Sequence, residues 1–354
     1  MRSRVITKII TETILFNNKI VSQPIKNIKC FFPFICNEEC RDERKYDKYD
    51  YNENPTIVEA ATELSKMVHS GYIETICEIR IIYKHEVPQI DKVNYFHCAW
   101  KENYTWNEIS SLDYKDILLQ IKLLQMPDQP IKYSDKILLS PNFIGNIFHE
   151  FAHSLEIDHA PQARQSIGKN VFGNKYGKYI SLYENPSKNS FGKHIFSDTG
   201  ILQKKTVLVK NGMLISCLGN YETGDNLYAG FGGTGLLSPR TVCLEIKGPP
   251  SSNAPYEGSI ILGSEMSVLL MRPRELLLWI NYVDICNYKD GDIYSLKRIN
   301  LDKIVPLNDI IDNMSFVYDC NLYIPKIGGI CVKGNAKIRS VQHSGFALFK
   351  NILF

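Results

Sequence analysis

One segment constrains this chain more than any other. Residues 140–159, SPNFIGNIFHEFAHSLEIDH, carry a helical pattern set among many short β-like runs broken by glycine and asparagine. Ser140 suits an N-cap and Pro141 the first helical position. At about 100° per residue, Ile144, Ile147, Phe148, Phe151, Ala152 and Leu155 cover one side of a helix predicted over 141–158. His149, His153 and Glu156 fall on the opposite side, at i, i+4 and i+7. So apolar a back demands cover, and the runs around it are β-rich. The expected setting is therefore a mainly antiparallel β domain carrying one important helix.

The rest of the chain fits that picture. KKTVLVKNGMLISC (204–217) reads as a hairpin about a tight Asn211-Gly212 turn, and Lys289-Asp290-Gly291-Asp292 reads as a second turn. Before residue 130 the pattern differs. Residues 1–28 suggest a strand and then a loop interrupted at Pro24, and 41–54 form a charged, tyrosine-rich loop. Pro55 opens a helix with Val58, Ala61, Leu64 and Val68 at helical spacing, and Gly71 is placed to end it. ETICEIRIIYK and VNYFHCAWK follow as strands, and 108–126 reads as a second helix with Leu112, Ile117, Leu118, Ile121 and Leu124 as its stripe. Two prolines in MPDQP (126–130) mark a boundary. The fold class is α+β: a small N-terminal α+β domain (1–130), then a larger domain (137–354).

Composition excludes several classes. With 44% hydrophobic and 22% charged residues, the 354-residue chain has material for a sizeable core. A net charge of +3 gives no footprint for nucleic acid, and no apolar run approaches the roughly 18 residues of a membrane helix. The N-terminus lacks an uninterrupted apolar core of the export type, so the expected location is cytoplasmic and the ten cysteines are expected reduced. Cys77, Cys98, Cys217, Cys243, Cys286 and Cys320 read as buried thiols, and Cys30, Cys36 and Cys40 contain no CxxC pair.

The chemistry sits on the helix. His149-Glu150-x-x-His153 is an HExxH arrangement, whose spacing lets two imidazoles converge on one zinc ion while the glutamate acts as general base. A catalytic zinc takes three protein ligands and keeps one position open. His159 completes HExxHxxExxH, a metzincin-like spacing, although Glu156 stands where that motif uses glycine to turn the backbone. Glu156 shares the ligand face but lies one turn beyond His153, which strains a tetrahedral site. The residues alone leave the third ligand open.

Several stretches resemble the TldD/PmbA family of metalloproteases, on its zinc-bearing side. LLSPNFIGNIFHEFAHSLEID is similar to that family's signature, and VFGNKYGKYISLYENPS with SDTGILQKKTVLVKNGMLIS is similar to its strand, Asp-x-x-Gly turn and hairpin. SPRTVCLEI stands where the family has a Pro-Arg-Met-Thr-Asn segment, and GGICVKGNAKIRSVQHSGFALF resembles its cysteine-bearing C-terminal segment. The likeness covers roughly 137–354. It departs in having two residues rather than three between Glu150 and His153, Ala152 in place of a glycine, and Val332 after Cys331.

The resemblance implies zinc ligands His149, His153 and Cys331, with Glu150 as base. Glu156 and Asp158 are then expected to orient the histidine rings or to form a polar helix end, and His159 to be a surface residue. Arg240 is expected either to bind substrate or to lie on the surface; His194 and His343 are expected in ordinary polar roles, and Phe231–Gly235 as a loop. The implied activity is hydrolysis of unfolded peptides, including leader segments of modified peptides. A cavity shared with a PmbA/TldE-like subunit, or with a second copy, is implied as well. The readings from other classes are a metzincin-like peptidase using His159, and a catalytically silent subunit that binds peptide.

Overall fold

The computed structural model describes residues 4–17, 19–31, 56–84, 87–102, 105–131, 136–173, 175–222, 225–228, 237–249, 258–289, 292–317, 322–333 and 336–350. The Arg41–Asn54 and Phe231–Gly235 segments, Cys36, Cys40, Cys320 and the Asp290-Gly291 turn fall outside them, as does the side chain of Cys30.

Residues before 112 form an antiparallel sheet in the order Ile20–Val21, Arg4–Asn17, Ser70–Lys84, Val87–Glu102, Thr105–Ser111, with Ile25–Phe31 also paired to Arg4–Asn17. The expected strand-then-loop at the start is thus three strands, with Pro24 in the short connection between the second and third. Side chains alternate across the sheet. Ile14, Phe16, Ile73, Cys98 and Trp100 pack under helices α1 (Thr56–Met67) and α2 (Tyr114–Leu124). Ile9, Ile76, Val93 and Tyr95 on the other face pack against Phe191, Cys243 and Val341 from the second half of the chain.

Two readings of helix faces need correction. In α1 the buried stripe is Ile57, Ala60, Ala61 and Leu64, while Val58 is exposed. Both sets have helical spacing; in the stripe that packs on the sheet Ala60 and Ala61 are wholly buried. Residues 108–111 are strand rather than helix, so Leu112 falls in the bend before α2 and is exposed. Gly71 does not end α1 but lies within Ser70–Lys84, where an added Cβ would run into the carbonyl oxygen of Ala99.

The second half builds two further six-stranded sheets. One runs Asp292–Pro306, Leu277–Lys289, Gly258–Leu270, Lys136–Leu139, Phe346–Lys350, Met314–Val317; the other runs Met213–Leu214, Thr206–Lys210, Ser181–Glu184, Cys243–Lys247, Ala336–His343, Gly329–Lys333. Each contains one parallel pair, Gly258–Leu270 with Lys136–Leu139 and Cys243–Lys247 with Ala336–His343; the remaining pairs are antiparallel. The expected hairpin is present, with Asn211 at φ 50° and Gly212 at φ 76°, the left-handed pair a two-residue turn requires.

Helix α3 (Pro141–His153) lies in the core between these sheets. Phe143, Ile144, Ile147, Phe148, Phe151 and Ala152 are fully buried among Leu139, Leu182, Leu208, Leu244, Ile261 and Phe349. The fold is α+β with mostly antiparallel sheets, and the apolar back of α3 is covered as its sequence demanded. Short helices α4 (Ala160–Gln165) and α5 (Leu307–Asp312) complete the description.

Candidate metal centre

The site is assembled on α3. Ser140 caps it, its Oγ accepting from the Phe143 amide at 3.1 Å and donating to the Leu262 carbonyl at 2.6 Å. The helix ends earlier than its apolar pattern predicts. Ser154 caps it, with Oγ donating to the Phe151 carbonyl at 2.7 Å, and the backbone then turns. Leu218 donates to the Leu155 carbonyl at 2.7 Å and accepts from Ile157 at 3.0 Å, so the chain after the cap is tied to the segment that follows the hairpin. Leu155 still reaches the core, but from the turn. Glu156 therefore leaves the helix and is brought back beside His153.

His149 and His153 meet edge to face, with ring centroids 4.6 Å apart. Cys331 arrives from the strand Gly329–Lys333, its Sγ 3.7 Å from His153 Nε2. One donor atom from each of His149, His153 and Cys331 lies within 4.8 Å of the other two. Zinc bonds of about 2.0–2.1 Å to nitrogen and 2.3 Å to sulfur, at a tetrahedral angle, set nitrogen and sulfur about 3.6 Å apart. Two imidazoles and a thiol are also the borderline-soft donors such an ion favours. The residues fit the group.

Around these three, each side chain is held. His153 Nδ1 is 2.9 Å from Glu156 Oε1, and Glu156 is buried. Lys333 donates to Glu156 Oε2 at 2.6 Å and also pairs with Asp158. On the other ring, His149 Nδ1 lies 2.9 Å from the amide of Gln342, on the strand paired with that of Cys331. One hairpin thus supplies both Cys331 and the partner of His149. Arg240 is buried and not on the surface, its guanidinium 3.6 Å from Cys331 Sγ and 3.3 Å from the Lys333 carbonyl. His159 closes the turn Ile157–His159, and its side chain lies outside the described residues.

The electrostatics follow from burial. Desolvation holds His149 well below its ordinary value, with His153 and Arg240 adding to the effect. For His153 burial works downward too, but its hydrogen bonds to Cys331 and Glu156 prevail and lift it to about 10. A metal ion would displace that proton. Glu150 is raised from its ordinary value mainly by burial, which makes it a stronger base than a solvated carboxylate.

Sequence reading missed Gln342 and Lys333. Gln342 shares a strand face with Ile338 and Ser340, and a polar residue at an inward position was the available signal. His194 is buried, with Nδ1 3.1 Å from the Gly192 carbonyl and Nε2 3.9 Å from Glu78.

Residues 132–258 match the PmbA/TldA metallopeptidase C-terminal domain, a stretch that contains α3 and both histidines. Over that stretch the chain is similar to the TldD/PmbA family. A metalloprotease of Methanocaldococcus jannaschii is 28% identical over 163 residues, taking in 40% of this chain and 36% of that protein. One from Methanothermobacter thermautotrophicus is 30% identical over 109 residues, 30% of this chain and 24% of the relative. The matches thus span about a third or less of those relatives. TldE from Thermococcus kodakarensis shares the fold across 99% of this chain and 96% of its own, with a TM-score of 0.62 at 12% identity. Among the described residues, no helix is long and apolar enough to cross a membrane.

Proposed function

We propose that this chain is a zinc-dependent peptidase, with His149, His153 and Cys331 as ligands and Glu150 as general base. The observation that carries the reading is the convergence of two helix imidazoles and a thiol from a strand 178 residues further on. A zinc ion held there would supply Lewis acidity, polarising a carbonyl and lowering the pKa of a nearby water. Glu150 takes the proton of the attacking water and returns it to the leaving amine as the peptide bond breaks. Gln342 and Glu156 hold the two rings in fixed orientation. The substrates are unfolded peptides, including leader segments, and the working unit pairs this chain with a related subunit of the family or with a second copy.

The test is zinc content per chain for the wild type and Cys331→Ala prepared side by side, with hydrolysis of an unstructured peptide measured in parallel. One zinc in the wild type and loss in the variant support the ligand set. Retention of zinc in Cys331→Ala turns the search for a third ligand to His159. Glu150→Gln should keep the zinc and lose about 10²–10⁴-fold in rate. A wild type that takes up no zinc leaves a peptide-binding subunit as the reading.

A further inference from the structure

A cleft of about 200 Å³ opens beside the metal centre, and no step above uses it. Leu124, Leu262 and Ile327 line it together with Gln120 and Asp284, and Asn142 and Asn146 of α3 and Gln342 add amides. Gln342 is shared: the side chain that lines the cleft also touches His149. Asn146 stands one helical turn before His149 and Glu150, a rise of about 5 Å. An extended peptide advances about 3.3 Å per residue. A peptide running along α3 from the metal centre would set the side chain next to the cleaved bond over this cleft.

The lining selects a type of side chain. Apolar cavities of about 150 Å³ accept a benzene-sized guest, so a volume of 200 Å³ suits one side chain of leucine, methionine or phenylalanine size. The one charged residue of the lining, Asp284, is paired with Arg298 through two contacts, at 2.8 and 2.9 Å. A lysine or glutamate entering it would lose hydration with no ion to replace it. The Asn146 amide can meet the main chain beside the guest, since those of Asn142 and Gln342 are engaged by the Pro325 carbonyl and by His149.

We propose that this cleft is the specificity pocket of the same site, taking an uncharged apolar side chain that flanks the scissile bond. The inference rests on the peptidase reading above. Gly263 offers a clean probe, because it lines the pocket and a Cβ built on it meets no atom within 4 Å. Gly329 offers a second, since its added Cβ would come no closer than 3.8 Å, to Ser340 Oγ.

The experiment uses the zinc-loaded full chain and dye-labelled unstructured peptides that differ at one position, carrying leucine, methionine, glycine, lysine or glutamate. Cleavage and fluorescence anisotropy are read for the wild type, Gly263→Leu and Gly329→Val, with zinc content checked in each. The wild type should favour leucine and methionine over lysine and glutamate by about tenfold or more in kcat/KM. Both filled variants should erase that preference while leaving the glycine peptide within about twofold. An equal loss for all peptides, or no change, overturns the pocket. If nothing is cleaved, the peptidase reading fails and anisotropy decides the pocket alone. Leucine-peptide binding abolished by both filling variants keeps it, whereas binding that is unaltered or absent for every peptide overturns it.

Discussion

Glu156 links the candidate metal centre to the turn behind it. One of its oxygens faces His153 Nδ1 and the other accepts from Lys333, which also pairs with Asp158. A carboxylate in that place fixes the tautomer of a ligating ring and makes its free nitrogen a better donor. Glu156→Ala should therefore weaken zinc binding by about 10–100-fold in chelator competition, and Glu156→Gln, which can still accept a hydrogen bond, should recover part of the loss. Gln342→Leu should act in the same direction on His149, with a smaller effect because a neutral amide polarises the ring less. The candidate residues His149, Glu150 and His153 were legible because one helix carries their spacing, and Cys331 through resemblance, whereas Glu156 reaches His153 only because the helix ends before it. Gln342 and Lys333 were not legible, since strand alternation does not say which inward polar residue meets which helix.

At the scale of the element, α3 is the part of the fold that local sequence specifies best. Its start is written in Ser140-Pro141, and its covered face in a run of apolar residues. Ser140→Ala removes both the cap and the buried bond to Leu262, and should lower the free energy of unfolding by about 1–2 kcal/mol in urea titration. The helix end was misread because neither glycine nor proline marks it. Leu155 continues the apolar spacing and is buried just the same, so periodicity could not register that the backbone had already turned at Ser154. That turn frees Glu156 from the strain it would face as a ligand further along the helix, and lets it reach back to His153. In α1 the ambiguity was of another kind, since two overlapping stripes both satisfy a period of 3.6 and only the sheet beneath chooses between them.

At the scale of the whole molecule, the first sheet is clamped to the second half of the chain by buried charge, which no local pattern foretells. Arg339 donates to Glu78 at 2.6 Å across 261 residues of sequence, and Arg80 binds Asp198 and the Phe196 carbonyl. His194 lies in the same layer, facing Glu78, Arg80 and Arg339, and burial holds it well below its ordinary value. His343 is pushed down to about 4, chiefly by burial and then by Lys188. Both histidines fold neutral, whereas the unfolded chain takes up their protons below about pH 6.5. Their contribution is thus present above pH 6.5 and is lost as pH falls toward 4, so the urea midpoint should drop over that range. His343→Gln should flatten the drop by about 1–2 kcal/mol, allowing for its partial exposure to solvent. The ion pairs give a larger effect. Glu78→Ala strands the Arg339 guanidinium, which is almost wholly buried, and should cost about 3–5 kcal/mol of unfolding free energy. Replacing both partners, Glu78→Leu with Arg339→Met, removes the stranded charge and should restore most of that loss. Equal destabilisation in the single and double variants would mean that the pair itself, rather than the unpaired cation, holds the two halves together.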